Sequence, residues 1–268
     1  MKLEYIDIHS HLYFPDFDTD REKVIEDMSH KGIGTITIGT DRDSSQRAVD
    51  MAIQHEHLFA CVGQHPGDVV AGSVFDEQII TLAKHPKVVA VGECGLDYFR
   101  LGHDSEIVKE IQKNIFKSHM ELAREVKKPL MLHIRPSAKS YDAYGDALSI
   151  LESAYDTYGD AIRGNAHFFA GDMDILKRFL AIGFTVSFTG VITFTHDYDE
   201  YIRYAPLDMI MSETDAPFVA PVPFRGSRNA PLYVPEVVTA IASIRGEDCE
   251  TVKNTLRNNA IRQFSLPV

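Results

Sequence analysis

Two histidines one residue apart, His9 and His11, follow the apolar, alternating stretch Tyr5-Ile6-Asp7-Ile8. On a β-strand, residues i and i+2 share a face, so both imidazoles can aim at one point, a geometry that suits a divalent metal. The motif alone is weak, since a pair of half-buried strand histidines would be spelled the same way. Groups of the same chemistry recur downstream, in Gln64-His65-Pro66, at Glu93, His133 and His167, and in Glu213-Thr214-Asp215. Imidazole and carboxylate are the nitrogen and oxygen ligands of Zn-, Mn- or Mg-type sites. Such sites activate water for hydrolysis.

Eight short apolar or β-branched runs carry or precede these groups: residues 5–8, 35–39, 59–63, 88–92, 130–133, 165–168, 185–188 and 209–212. Helical patterns lie between them. Residues 21–30 place Val24, Ile25 and Met28 on one face and stop at Gly32, a helix-ending residue. Residues 105–127 set Ile107, Ile111, Ile115, Leu122 and Val126 along one stripe before Pro129. Residues 237–244 and 250–264 read as closing helices. Strand–helix alternation repeated eight times predicts an α/β protein with a parallel sheet, and eight units suit a closed (β/α)8 TIM barrel. A doubly wound open sheet is the alternative; against it, no Gly-x-Gly-x-x-Gly follows any run.

In a barrel, the candidate ligands all fall at the C-terminal rim of the strands, where active sites lie. His9, His11, Glu93, His133, His167 and Asp215 converging on one rim are hard to explain as core residues. Seven other histidines (His30, His55, His57, His85, His103, His119 and His196) fall in helical or loop patterns. His55 and His57 repeat the His-x-His spelling at a predicted helix end, where i and i+2 diverge by about 200°. They read as surface residues.

The 268 residues suit two small domains or one large barrel, and the expectation is one barrel domain over 1–268. No run of about 18 apolar residues predicts a membrane span. Residues 1–5 lack a secretory-type apolar stretch. Three cysteines leave one unpaired in any disulfide scheme, which fits a reducing cytoplasm. The net charge of −12 argues against wide electrostatic binding of duplex DNA. It leaves room for an anionic substrate at a local site, because two bound divalent ions add positive charge there.

With His9-Ser10-His11, Gly92-Glu93-Cys94-Gly95-Leu96-Asp97-Tyr98, His133-Ile134-Arg135, Ala166-His167-Phe168 and Glu213-Thr214-Asp215-Ala216-Pro217 in place, the chain resembles the TatD-type metal-dependent deoxyribonucleases of the amidohydrolase-like barrel superfamily. The resemblance extends to Asn259-Ala260-Ile261-Arg262-Gln263-Phe264 and so covers nearly the whole chain. It implies two divalent metal ions (Mg, Mn or Zn). His9, His11 and Asp215 would hold one ion and His133 and His167 the other, with Glu93 bridging both. Six nitrogen and oxygen ligands suit two ions about 3.5–4 Å apart better than one ion with open positions. Related barrels bridge their metals with a carboxylated lysine. No lysine ends the fourth run here, the nearest being Lys87, which precedes it. The chain departs from common family patterns at Gly67-Asp68 and at Phe168, and neither departure removes a ligand.

The activity implied is 3′–5′ exonuclease cleavage of single-stranded DNA by attack of a metal-bridging hydroxide, with Asp215 and Glu93 as the catalytic carboxylates. Asp215 would both ligate a metal and accept the water's proton. His65 would touch the scissile phosphate. Arg135 could offer a bidentate phosphate contact or pair with Asp97. The stretch 216–235 carries Pro217, Pro221, Pro223, Pro231 and Pro235, and so reads as a long shaped loop. Its Arg225, Arg228 and Asn229 match a family segment lining the substrate groove. Tyr98 and Phe99 are candidates for stacking on a base. No obligate protein partner is expected, and the chain reads as a monomer. The alternative enzyme is a two-metal hydrolase of a small ester, amide or phosphodiester; a metal-stabilised binding module is the non-catalytic reading.

Overall fold

The computed structural model describes residues 2–101 and 105–268, so His103 lies outside the described residues. The elements alternate along the chain: β1 (Tyr5–Ser10), α1 (Arg21–His30), β2 (Ile33–Ile38), α2 (Arg42–Gln54), β3 (Leu58–Val62), α3 (Gln78–Ala83), β4 (Val88–Asp97) and α4 (Ser105–Val126). Then come β5 (Leu130–Arg135), α5 (Asp142–Tyr158), β6 (Gly164–Ala166), α6 (Met173–Ala181), β7 (Thr185–Phe188), α7 (Asp199–Tyr204), β8 (Ile210–Ser212), α8 (Val234–Arg245) and α9 (Cys249–Phe264). The strands pair in chain order, each parallel to the next. β8 meets β1 just past its end, where Asp215 N donates to His9 O at 2.9 Å and His11 N to Ala216 O at 2.7 Å. The sheet is a nearly closed (β/α)8 barrel, and the open doubly wound alternative is excluded.

Apolar residues form two layers. Ile6 and Ile8 of β1, Ile36 and Ile38 of β2, Phe59 and Cys61 of β3, Met131 of β5 and Met211 of β8 share one cluster with Phe264 and Leu266. Strands on opposite sides can touch only through the barrel interior, so these side chains fill it and the end of α9 plugs its floor. A larger outer cluster joins the strands' other faces to the helices, through residues such as Met28, Leu132, Leu148 and Phe179.

Strict alternation from Ile6 and Ile8 would turn His9 away from that interior. The β1–β2 register shifts, with Asp7 opposite Thr35 and Ser10 opposite Thr37. The extra residue is a β-bulge, which flips the parity and re-aims the side chains beyond it. β4 shifts in the same way between Val91 and Cys94, beside Glu93. The glycines flanking Glu93 are needed for close packing on β5. A Cβ on Gly92 would collide with Met131 O, and one on Gly95 (φ +136°) with His133 O.

Local signals place the helices. α1 ends as the sequence predicts, with Gly32 in the left-handed region at φ +64°. At the start of α2, Asp41 accepts from Ser44 N while Ser44 Oγ accepts from Asp41 N. Two expectations need correction. In α4 the buried face runs through Val108, Gln112, Ile115, His119 and Leu122, while Ile107 is 58% exposed. Two positions on that face are polar, so its periodicity is masked in an apolar count. Pro235 belongs to the first turn of α8 rather than to the loop, a position where proline costs no helical hydrogen bond.

Candidate metal centre

Glu93 is the hub of the C-terminal rim. It lies inside β4, 3% exposed, and its two oxygens face different neighbours. Oε2 is 3.4 Å from His9 Nε2 and 3.9 Å from His11 Nε2. Oε1 is 2.9 Å from His133 Nδ1 and 3.6 Å from both His167 Nε2 and His65 Nε2. Asp215 completes the first side, with Oδ1 3.8 Å from His9 Nε2 and 3.5 Å from His11 Nε2. It sits in the left-handed region at φ 54°, which aspartate tolerates better than most residues. Burial pushes the Glu93 carboxyl up, but the attraction of His65 and His9 and the bond from His133 outweigh it and hold it well below the usual range.

The residues fit a divalent cation, and His9 shows it most directly. Its side chain is fully buried and neither Nδ1 nor Nε2 has a hydrogen-bond partner. Burial, together with the facing His167, pushes it down to about 3, so it is a neutral lone-pair donor. An unpaired buried imidazole is costly, and a cation among its neighbours would supply the missing partner. Among the described residues, three sets of ligand atoms lie within 4.8 Å of one another: His9, His11 and Glu93; His9, His167 and Asp215; and His65, Glu93 and His133.

The rings are oriented from behind. His11 Nδ1 donates to Ile38 O at 3.0 Å, which leaves the Nε2 lone pair facing Glu93 and Asp215. His167 Nδ1 donates to Glu213 Oε1 at 2.9 Å. That carboxylate also accepts from Phe168 N at 2.7 Å and Ser187 Oγ at 2.9 Å. Second-layer bonds of this kind fix tautomer and ring angle at metal sites. Burial lowers the His167 imidazole, but the Glu213 charge and bond override it and raise it to about 10. His133 is held between two carboxylates, with Nδ1 on Glu93 and Nε2 on Asp97 Oδ2 at 3.0 Å. Against its burial, the bonds from Asp97 and Glu93 raise it to about 9. Asp7 joins the rim below: it accepts from His9 N, from Thr214 N at 2.8 Å and from Thr214 Oγ1 at 2.6 Å.

The structure thus gathers His9, His11, His65, Glu93, His133, His167 and Asp215 at one end of the barrel. His65 Nδ1 accepts from Gly67 N at 3.0 Å, so its proton is on Nε2, toward Glu93. Burial and the facing His133 lower it to about 4, and it is a neutral donor. The arginines differ. Arg135 is exposed and lies over the Phe99 ring with Cζ 3.9 Å from the centroid; Asp97, its possible partner, is taken by His133. Arg225 stacks on Phe194 at 3.9 Å and donates to Ala220 O. Arg228 gives both ends of its fork to Asp20 at 2.7 Å and also donates to Asp16 O, so its charge is committed to the loop after β1. Asn229 is fully buried and Nδ2 donates to Thr214 O and Phe218 O, which ties the loop after β8 to the rim. Tyr98 is buried and bonds Asp146, whereas Phe99 is exposed. His57 and His119 are buried rather than on the surface. His57 Nε2 donates to Ile25 O, and His119 Nε2 accepts from Gln64 N.

Glu213, Asp97 and Asp7 are the contributors that sequence reasoning passed over. Glu213 and Asp97 stood within recognised motifs, and a carboxylate two residues from a ligand (Asp7, Glu213) or four (Asp97) was the available signal.

The family model for TatD-related DNases matches residues 6–265. An uncharacterized metal-dependent hydrolase, YabD of Bacillus subtilis, is 35% identical over 97% of this chain and 98% of its own length. A protein named 3′-5′ ssDNA/RNA exonuclease TatD, from Pectobacterium carotovorum, is 32% identical over 97% of this chain and 99% of its own. Among solved structures, YJJV, a TatD homologue from Escherichia coli K12, superposes with a TM-score of 0.84 at 26% identity, covering 100% of both chains. The protein belongs to the TatD-related DNase family of metal-dependent hydrolases.

Proposed function

We propose that this protein is a metal-dependent 3′–5′ exonuclease acting on single-stranded DNA, with two divalent ions, Mg, Mn or Zn, at the strand rim. The observation that carries the site is Glu93, whose two oxygens face two separate groups of histidines. The substrate class is supported by the nuclease-named relative. His9, His11 and Asp215 would hold one ion, His133 and His167 the other, with Glu93 between them. His133 must give up one of its two carboxylate bonds to ligate.

When bound, the ions supply water activation near neutral pH and neutralise charge on the phosphoryl oxygens. The chain's own groups do the rest. Asp215 would accept the proton of the attacking water as the water oxygen bonds to phosphorus and the P–O bond opposite breaks, the departing oxygen leaving as a hydroxyl with a proton taken from solvent. His65 donates from Nε2 to a phosphoryl oxygen. Ile38 O and Glu213 keep the His11 and His167 rings turned so that Nε2 faces inward.

The test is degradation of an end-labelled single-stranded oligonucleotide by chelator-stripped protein resupplied with Mg, Mn or Zn. Stepwise shortening that requires metal, and that falls at least about a hundredfold in Glu93→Ala and Asp215→Ala, is expected. If the wild type leaves DNA intact in every metal yet hydrolyses a small ester or amide, the small-substrate hydrolase replaces this reading.

A further inference from the structure

Beside the metal centre, the loop after β5 opens into a cleft of about 470 Å³ lined by Phe99, Arg135, Ser137, Lys139, Tyr141 and Ala170. Small-molecule sites span about 300–1,000 Å³. Its walls extend the strands that carry the candidate ligands. Arg135 stands two residues beyond His133, Phe99 two beyond Asp97, and Ala170 three beyond His167. A two-residue step along a strand is about 6.6 Å, so the cleft begins within a single-nucleotide step of the rim.

Its chemistry is aromatic and cationic. Phe99 and Tyr141 leave 45% and 48% of their surface exposed, although both could have packed inward on apolar grounds. The Arg135 guanidinium lies over Phe99, with Cζ 3.9 Å from the ring centroid. Among the described residues neither Arg135 nor Lys139 has a carboxylate partner. The nearby acids are engaged: Asp142 accepts from Ser137 N and Oγ, and Asp97 holds His133. Two cations without a carboxylate partner are a local reversal in a chain of net charge −12. An aromatic face beside cations, in a groove, is how proteins seat an unpaired nucleotide: the base stacks and the phosphate meets the charge.

We infer that this cleft is a nucleotide subsite, in which Phe99 or Tyr141 stacks on an unpaired base and Arg135 and Lys139 take the phosphate next to the one at the metal centre. The inference deepens the nuclease reading and rests on it for the identity of the substrate.

The sequence contains no tryptophan, so Phe99→Trp gives a protein with one indole in the cleft. Tyr204→Trp serves as the control; Tyr204 is 51% exposed on α7 beneath Lys177. Both are titrated without metal with thymidine monophosphate, a short oligothymidylate and an abasic oligonucleotide of the same length. Expected is saturable quenching of Phe99→Trp by the two base-bearing probes only, no quenching of Tyr204→Trp, and a fivefold or greater loss of apparent affinity when Arg135→Ala is added. Equal quenching by the abasic probe, quenching of both tryptophans alike, or none at millimolar probe overturns the subsite. Quenching at Phe99→Trp in a protein that hydrolyses no DNA keeps the subsite and removes the nuclease reading. Hydrolysis without quenching does the reverse.

Discussion

His167 faces Glu93 with Nε2 because Glu213 holds its other nitrogen, and Glu213 in turn accepts from Phe168 N and Ser187 Oγ. The motif Glu213-Thr214-Asp215 therefore supplies two different services. Asp215 faces the histidines, and Glu213 turns one of them. Replacing Glu213 with Gln keeps the shape but removes the charge that stabilises the Nδ1 proton. Metal affinity, measured by competition with a fluorescent chelator, should fall about 10- to 100-fold; unchanged affinity would show that His167 needs no such orientation. The six ligand candidates were legible in the sequence because each stands at or just beyond the end of an apolar run. Their supporting carboxylates were not, since Asp7, Asp97 and Glu213 acquire roles only when β8, β5 and β6 bring Thr214, His133 and His167 beside them.

At the scale of elements, α4 carries a fully buried histidine on the face packed against the barrel. His119 Nδ1 donates to Ile115 O at 2.9 Å and Nε2 accepts from Gln64 N at 3.0 Å. Burial lowers it to about 4, with the Ile115 bond a smaller opposing effect. A group whose folded pKa lies below its unfolded value gives its full stabilisation above about pH 6.5 and loses it as pH falls toward 4. Wild type should lose roughly 3 kcal/mol across that window through this residue, and His119→Gln should show a shallower acid slope by denaturant unfolding. An identical slope would place the acid sensitivity elsewhere. The same face explains why the apolar stripe was misplaced: Gln112 and His119 are buried yet polar, with Gln112 bonding Asp97 N, Asp97 O and Pro66 O. The β-bulges at Asp7–Ser10 and Val91–Cys94 were equally hidden, because a sequence shows alternation but not the register against a neighbour. Asn229 is the strut of the proline-rich loop after β8. Asn229→Ala leaves Thr214 O and Phe218 O without a donor and should destabilise by about 3 kcal/mol, read from the urea midpoint. A change below about 0.5 kcal/mol would mean the loop is held by other contacts.

For the molecule as a whole, barrel closure joins the first strand to the last at the site: His9 and His11, at and just past the end of β1, meet Asp215 and Ala216 beyond β8. Strand count and alternation foretold this closure, since chain-order pairing of eight parallel strands leaves the first beside the eighth. The net charge of −12 sets the terms of substrate binding. With Arg135, Lys139 and Arg225 meeting the phosphates of a single-stranded substrate, the log–log dependence of single-strand affinity on salt should have a slope of about −2. A slope near −6 would mean a much wider phosphate track than this surface offers.

Metal stoichiometry tests directly whether Glu93 joins two ions. Chelator-stripped wild type and Glu93→Gln would be dialysed against Mn²⁺ and the bound metal counted by atomic emission. Two ions per chain in the wild type and no more than one at the same free concentration in Glu93→Gln is the result this arrangement predicts. A single ion in the wild type, or two retained in the variant, would contradict it.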